Sequence, residues 1–242
     1  MAHFYISEEL LGAAVGDTVT IAGPEARHAV TVSRVTVGDP IVVGNGSGLV
    51  VGGTVTATEP QQLTLTATSV DEVAPASPAV FLAQALAKGD RDESAVQAAT
   101  ELGVDGVIPW AAQRSIVKWE GPKLRKGHDR WSAIVREASK QSLRPWLPDV
   151  APLVSTKQLA ALAEHSRMLV LDPAASNPLS AVMADGRDIV LVVGPEGGIS
   201  SGEIDVLVGR GAEVVRLGDT VLRTSTAGPA ALAVLNVALS RW

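Results

Sequence analysis

The chain has 242 residues, a formal net charge of −6 and no cysteine. That length allows one large domain or two modest ones with cores that need no covalent staple. The missing cysteine excludes disulfides, thiolate zinc sites and cysteine nucleophiles together, and suits a reducing cytoplasm. The opening stretch MAHFYISEELLG carries Glu8 and Glu9 where a signal peptide needs a basic start and an apolar run. No stretch approaches about 18 uninterrupted apolar residues, so no membrane span is expected.

Residues 17–70 read as β-rich. Asp17–Ala22, Pro40–Gly44, Leu49–Thr58 and Gln62–Val70 are runs of Val, Thr, Leu and Ile separated by Gly-Asp and Asn-Gly type turns. QLTLTATSV alternates at a period of two, the mark of a half-buried antiparallel strand. One helix is expected between the runs, around Glu25–Val32. The prolines of DEVAPASPA, Asp71–Ala79, mark a linker. Beyond it, VFLAQAL is an apolar strand, DRDESAVQAATELG a helix with acids in its first turn and Gly103 at its end, and GVIPW a strand. Helices follow around Asp129–Ser142 and Thr156–His165. RMLVLD, DIVLVVG and AEVVRLG are continuous apolar runs, as in a parallel sheet covered on both faces. A last helix, about Ala227–Arg241, is apolar almost all round and needs a core or another subunit to bury it.

The average charge hides a polarity. Between Gln113 and Pro148 nine bases face three acids, so this segment carries about +6 and the remainder about −12. It also holds Trp119, Trp131 and Trp146. Bases interleaved with flat rings suit a phosphate backbone and unstacked bases; they equally describe a solvated helix face with tryptophans packed inside.

LVVGPEGGISSGEI, Leu191–Ile204, runs from an apolar strand into a glycine knot around one Glu. The P-loop and the dinucleotide turn fail on glycine spacing, on the missing Lys and on the charge of Glu196. Gly198–Gly202 matches G-x-S-x-G literally, yet Ser200 lies seven residues past Val193 and every histidine precedes it, against the order of a hydrolase. Ser200 fits better as an N-cap, with Glu203 completing a capping box and Asp205 in the first turn. The glycines then either line a ligand pocket with main chain or only permit a tight turn. VRLGDTVLRTSTAGPAALAVL, residues 215–235, repeats the order of strand, glycine turn, polar loop and helix, with Pro229 expected in the first helical turn. Arg223 stands just before the hydroxyls of Thr224, Ser225 and Thr226, either as a surface ion-pair partner or as a cation facing a pocket.

LVVGPEGGISSGEI and LGDTVLRTSTAGPAAL resemble the signature loops of the RsmE family, which N3-methylates a uridine of 16S ribosomal RNA with S-adenosylmethionine and belongs to the SPOUT superfamily. HFYISEELLG, EARHAVTVSRVTVGD, QALAKGDRDESAVQAATELGVDGVIPWAAQRSIVK and the REASKQS helix resemble further family motifs in the same order, so the likeness covers nearly the whole chain.

The resemblance implies an α/β fold: a PUA-like RNA-binding β-barrel over 1–72, a linker at 73–79, and a SPOUT methyltransferase domain over 80–242 with a trefoil knot at about 190–242. It implies a cofactor, S-adenosyl-L-methionine, held by Leu171, Gly194, Pro195, Glu196, Gly197, Gly198, Ile199, Leu217, Gly218, Leu222, Thr224, Ser225, Thr226 and Ala227, with the 171–173 loop nearby. Arg223 is the expected catalytic cation. His28, Arg34, Lys88, Arg91, Arg114 and Lys118, in or beside family-like motifs, are the expected RNA contacts. The implied partners are 16S ribosomal RNA or the small ribosomal subunit and a second copy through the knot, with no metal and no membrane, in the cytoplasm. Ser225 stands where relatives often carry Glu, so no obligatory base is expected there. Two alternatives keep the same motifs: a SPOUT methyltransferase of another RNA nucleotide, and a non-catalytic RNA-binding protein.

Overall fold

The structure, a computed structural model, describes residues 3–242; Met1 and Ala2 of the opening stretch lie outside the described residues. The chain divides into two units, one running to Pro75 and including 139–147, the other comprising 76–138 and 148–242.

The first unit contains β1 (His3–Ile6), β2 (Thr18–Ala22), α1 (Gly23–Arg27), β3 (Pro40–Gly44), β4 (Leu49–Glu59) and β5 (Gln62–Glu72). They form one sheet in the order β1-β3-β4-β5-β2. Only β1 joins in parallel, against β3. Alternate residues such as Val19, Ile21, Leu63 and Leu65 point into a core shared with Tyr5, Ile41 and Val51. Strand β1 was not expected, because four edge residues without a turn signal leave little pattern to read. The expected Glu25–Val32 helix is instead the short α1, opened by Pro24, followed by a π-helical turn at His28–Val32. The β-branched run Val30-Thr31-Val32 crowds a tight α-turn, and the Ser33 N–H donates five residues back to the His28 carbonyl at 3.0 Å. Asp71 and Glu72 belong to β5 rather than to a linker.

The second unit contains β6 (Val80–Ala85), α2 (Arg91–Glu101), β7 (Gly106–Ala111), α3 (Pro122–Gln141, whose last residues count with the first unit), β8 (Asp149–Val150), β9 (Val154–Ser155), α4 (Thr156–Ala161), β10 (Arg167–Leu171), β11 (Ile189–Val193), α5 (Ser201–Val208), β12 (Glu213–Val215) and α6 (Thr224–Ala238). The sheet order is β12-β10-β11-β6-β7-β8, with β9 also on β7, and every pairing is parallel. All five residues of β11 are buried, as an interior parallel strand requires. From β6 the chain adds β7 and β8 on one side and later strands on the other. That reversal leaves a crevice at the carboxyl ends of the strands, where open α/β sheets bind ligands.

Two helices start earlier than their sequence pattern indicates. Helix α3 starts at Pro122 and runs through Gly127; a Cβ there would lie 2.2 Å from the Trp119 indole, so the bare backbone is a seat for that ring. Helix α6 begins at Thr224, capped by Arg223, which puts Thr-Ser-Thr in the first turn and Pro229 inside the helix. Among the described residues no helix is long and apolar enough to cross a membrane.

Candidate active site

Three loops meet at the carboxyl edge of the second unit's sheet: 171–173 after β10, 194–199 after β11, and 216–224 between β12 and α6. They enclose a cleft of about 510 Å³. Leu171, Gly194, Pro195, Glu196, Gly198, Ile199, Leu217, Gly218, Leu222, Thr224 and Ala227 all line it, as does Arg223. Gly197, Ser225 and Thr226 do not: Gly197 faces Arg114, and the other two lie in the first turn of α6. Val193, Arg216, Thr220 and Val221 line the cleft without having been expected, alongside Asp172 and Pro173 of the Leu171 loop. Glycines and hydroxyls drew the sequence reading; these neighbours carry no mark beyond adjacency.

The glycine turn is shaped from inside and clasped from outside. A Cβ on Gly194 would sit 2.6 Å from Ile199 Cγ1, and Gly198 takes φ +71° while its N–H donates to the Pro195 carbonyl at 2.9 Å. Outside, Glu196 accepts from the Arg91 guanidinium at 2.8 Å and from the Lys88 N–H at 3.2 Å. Arg114 donates to the Gly197 carbonyl at 2.9 Å. Burial pushes the Glu196 carboxyl up, but its hydrogen bonds, Arg91's among them, outweigh that and hold it below the usual range. With Arg91 beside it, Glu196 is no bare charge, so the exclusion of a phosphate cradle rests on spacing and the missing lysine.

Behind the turn the capping box is complete. Ser200 donates its N–H and hydroxyl to Glu203 Oε2, at 3.1 and 2.9 Å, and accepts from the Glu203 N–H at 3.3 Å. Asp205 lies beyond the first turn, whose acid is Glu203. Glu203 Oε1 also accepts from the Gln113 N–H at 2.7 Å and the Thr156 hydroxyl at 2.9 Å, while Thr156 accepts from Trp110 Nε1 at 3.2 Å. One carboxylate thus joins α5, α4 and the β7–α3 loop, a role invisible in sequence beyond its cap. Burial raises its pKa, but the bonds from Gln113, Ser200 and Thr156 dominate and depress it. A depressed folded-state carboxyl stabilises above its unfolded pKa and loses that contribution as pH falls through the folded value. Glu203→Gln is therefore expected to cost about 2 kcal/mol at neutral pH, because an amide cannot accept all four donors. The gap to wild type narrows below about pH 4, as urea unfolding at both pH values will read.

The other expected residues are distributed as follows. Arg223 is exposed at the cleft rim, in the extended N-cap position of α6, and its guanidinium has no ion-pair partner among the described residues. Lys88, Arg114 and Lys118 are exposed in the second unit. In the first unit, Arg34 is exposed at φ +56° and His28 stands edge-on to Tyr5 with ring centroids 6.5 Å apart. The three tryptophans of the basic segment are packed. Trp131 is buried with Trp119 edge-on to it at 5.4 Å, and Trp146 donates to the Val73 carbonyl at 2.7 Å. Among the described residues no cluster of three or more His, Cys, Asp or Glu side chains is placed to hold a metal ion.

The RNA methyltransferase domain family matches residues 75–236, and the RNA methyltransferase PUA domain family matches 21–68. Ribosomal RNA small subunit methyltransferase E of Mycobacterium bovis is 38% identical over 94% of this chain and 89% of its own length; that of Bacillus subtilis is 31% identical over 90% of each. The chain belongs to the ribosomal RNA small subunit methyltransferase E family. The crystal structure of such an enzyme from Neisseria gonorrhoeae bound to S-adenosyl methionine superposes with a TM-score of 0.87 at 28% identity, covering 98% of both chains. A putative methyltransferase from Legionella pneumophila, in complex with the bound cofactor SAM, gives 0.87 at 30% identity and the same coverage. In this family member the cleft loops all fall inside the methyltransferase match, and the PUA match runs from the end of β2 through most of β5.

Proposed function

We propose that this chain transfers a methyl group from S-adenosyl-L-methionine to N3 of a uridine in 16S ribosomal RNA. The observation that carries the reading is the three-loop cleft with a backbone-lined glycine turn in its wall and an unpaired arginine at its rim, in a chain of this family. The residues fit the cofactor. Leu171, Pro173, Val193, Ile199, Leu217 and Leu222 offer apolar surface for an adenine ring, and a Cβ at Gly194 would crowd the turn that approaches it. When bound, the sulfonium supplies an electrophilic methyl; the protein supplies position and charge.

Uridine N3 is protonated at neutral pH, so the nucleophile gains negative charge as its proton leaves. Arg223 stands where it can stabilise that charge on a uracil carbonyl oxygen, supported by the positive end of the α6 dipole. The two carboxylates of the cleft wall are engaged, Glu196 by Arg91 and Asp172 by the Ala174 N–H at 2.7 Å. No cleft residue stands out as a general base, and positioning and charge stabilisation are what the lining offers the reaction.

The same reading holds that the second unit's chain is knotted and dimeric. Asn177–Leu179 pairs with Arg216, and α6 packs beside the turn at Leu179–Ala181, as expected of a last helix threaded past the loop after β10. Met183, Val221 and Val237 are exposed apolar groups for a second copy. Ribosomal RNA as substrate places the enzyme in the cytoplasm. Among the RNA contacts, Lys118 and Arg114 separate cleanly. Lys118→Ala is expected to weaken RNA binding alone and reduce its salt slope by about one. Arg114→Ala releases the Gly197 carbonyl and lowers cofactor affinity as well; titrations of each ligand check both.

Incubating the protein with small subunits lacking the modification and methyl-labelled cofactor, then mapping labelled nucleosides by mass spectrometry, tests the reading. Label at a uridine N3 supports it. Label on another base moves the activity to a different nucleotide, and RNA binding without cofactor binding leaves a non-catalytic protein.

A further inference from the structure

Gln84 does not line the cleft, yet it lies at the root of the cleft's walls. It is the penultimate residue of β6, fully buried, opposite Val193 of β11 in register. The rest of that strand is Val, Phe, Leu and Ala, as the interior of a parallel sheet requires. Its amide Nε2 donates to the Ala85 carbonyl at 3.1 Å and to the Thr224 hydroxyl at 2.8 Å. The Thr224 hydroxyl donates in turn to the Gly194 carbonyl at 2.7 Å. Gln84 Oε1 is buried without a partner among the described residues. An aliphatic side chain would avoid that unsatisfied oxygen, so the amide is retained against a cost.

The chain of bonds has a direction. The Ala85 carbonyl can only accept, which fixes Nε2 as the atom that reaches both partners. A hydroxyl has one proton, and Thr224 gives its own to Gly194; Thr224 therefore needs a donor, and Gln84 is that donor. Gly194 opens the glycine turn after β11, and Thr224 begins α6 at the end of the 216–224 loop. Two bonds thus tie one wall of the cleft to the other.

We propose that Gln84 is a positioning residue for the cofactor, whose amide orients the Thr224 hydroxyl and so holds the Gly194 turn and the start of α6 at the spacing that binds it. This rests on the cofactor reading above. Thr224 then serves the site as a tie between loops, its single proton already spent on Gly194.

The isosteric variant Gln84→Glu makes the direction measurable. A neutral carboxylic acid has one proton where the amide has two; given to Thr224, it keeps that tie and gives up only the bond to the Ala85 carbonyl. An ionised one cannot donate; it draws the Thr224 proton to itself and leaves Gly194 unpaired. Burial raises a carboxyl pKa, so the affinity of Gln84→Glu for S-adenosylmethionine is expected near wild type at mildly acid pH and to fall about tenfold as pH rises. Wild type and Gln84→Leu are expected to stay flat over the same range, with Gln84→Leu weaker throughout by about tenfold. Thr224→Ser, which keeps the hydroxyl, binds like wild type, and Thr224→Val binds like Gln84→Leu. In the unliganded protein, amide hydrogen exchange at 194–199 and 217–224 is expected to quicken in Gln84→Leu while β7 and β10 stay protected.

A pH-independent, wild-type affinity in Gln84→Glu overturns the inference, as does wild-type binding by Gln84→Leu. If Gln84→Leu fails to fold, the pH profile of Gln84→Glu still decides. If wild type binds no S-adenosylmethionine, the cofactor reading fails by itself, and equal loop exchange in wild type and Gln84→Leu then overturns the tie separately.

Discussion

Arg223→Ala is expected to slow methyl transfer by roughly 10²–10³-fold while cofactor affinity stays within about twofold, the size seen when one preorganised donor to a developing anion is removed. The guanidinium is exposed and without an ion-pair partner among the described residues, so its loss leaves no buried charge stranded and the fold should not notice. Its free state is also the argument for function, since arginines kept for stability are usually paired. Arg223→Lys should recover only part of the rate, because a point charge does not reproduce the planar fork. Single-turnover rates at saturating cofactor and RNA make the measurement, with calorimetry for the cofactor. An unchanged rate with RNA binding intact removes Arg223 from the chemistry.

The second large effect lies in the glycine turn, where the expected losses are graded. Gly194→Val should abolish measurable cofactor binding, a loss of 100-fold or more, because its Cβ would lie 2.6 Å from Ile199 Cγ1 and 3.2 Å from the Ile199 nitrogen. Gly198→Val comes next: a Cβ would meet only Arg114 Nη1, at 3.9 Å, but φ +71° costs a β-branched residue on the order of 1–2 kcal/mol or more. Gly197→Val is milder, its Cβ meeting Arg114 at 3.3 Å. Gly202→Ala, with open space and ordinary φ, should bind normally and sets the baseline. Equal losses at all four positions would point to general unfolding instead of a shaped turn.

What the sequence revealed, and what it hid, follows from the range of the interactions. The capping box at Ser200 and Glu203 spans three residues and was readable directly. The cleft loops were readable too, because glycines and hydroxyls cluster at strand ends. The continuous apolar runs gave the parallel sheet for the same local reason. Gln84 was not: its meaning depends on Thr224, 140 residues away. Glu203 showed its cap but not Gln113 or Thr156, which reach it from other elements. The early start of α3, at Pro122 instead of the expected Asp129, was hidden as well, and so was the Trp119 ring that lies on Gly127. The late position of Pro229 in α6 is likewise outside what the local pattern records.

The packed tryptophans also bear on how this enzyme chooses its target. With Trp119 folded over Gly127, Trp131 in the core and Trp146 held to Val73, the rings of the segment between Gln113 and Pro148 are engaged within the protein, and the RNA contacts proposed for this segment are its cations. Phosphates are alike at every nucleotide, so contacts of that kind fix register without reading a letter. On the proposed contacts, selectivity for one uridine among many would fall to the three-dimensional form of the folded RNA, which would bring a single base to the cleft rim. A short unstructured oligonucleotide carrying the right letters would be a poor substrate.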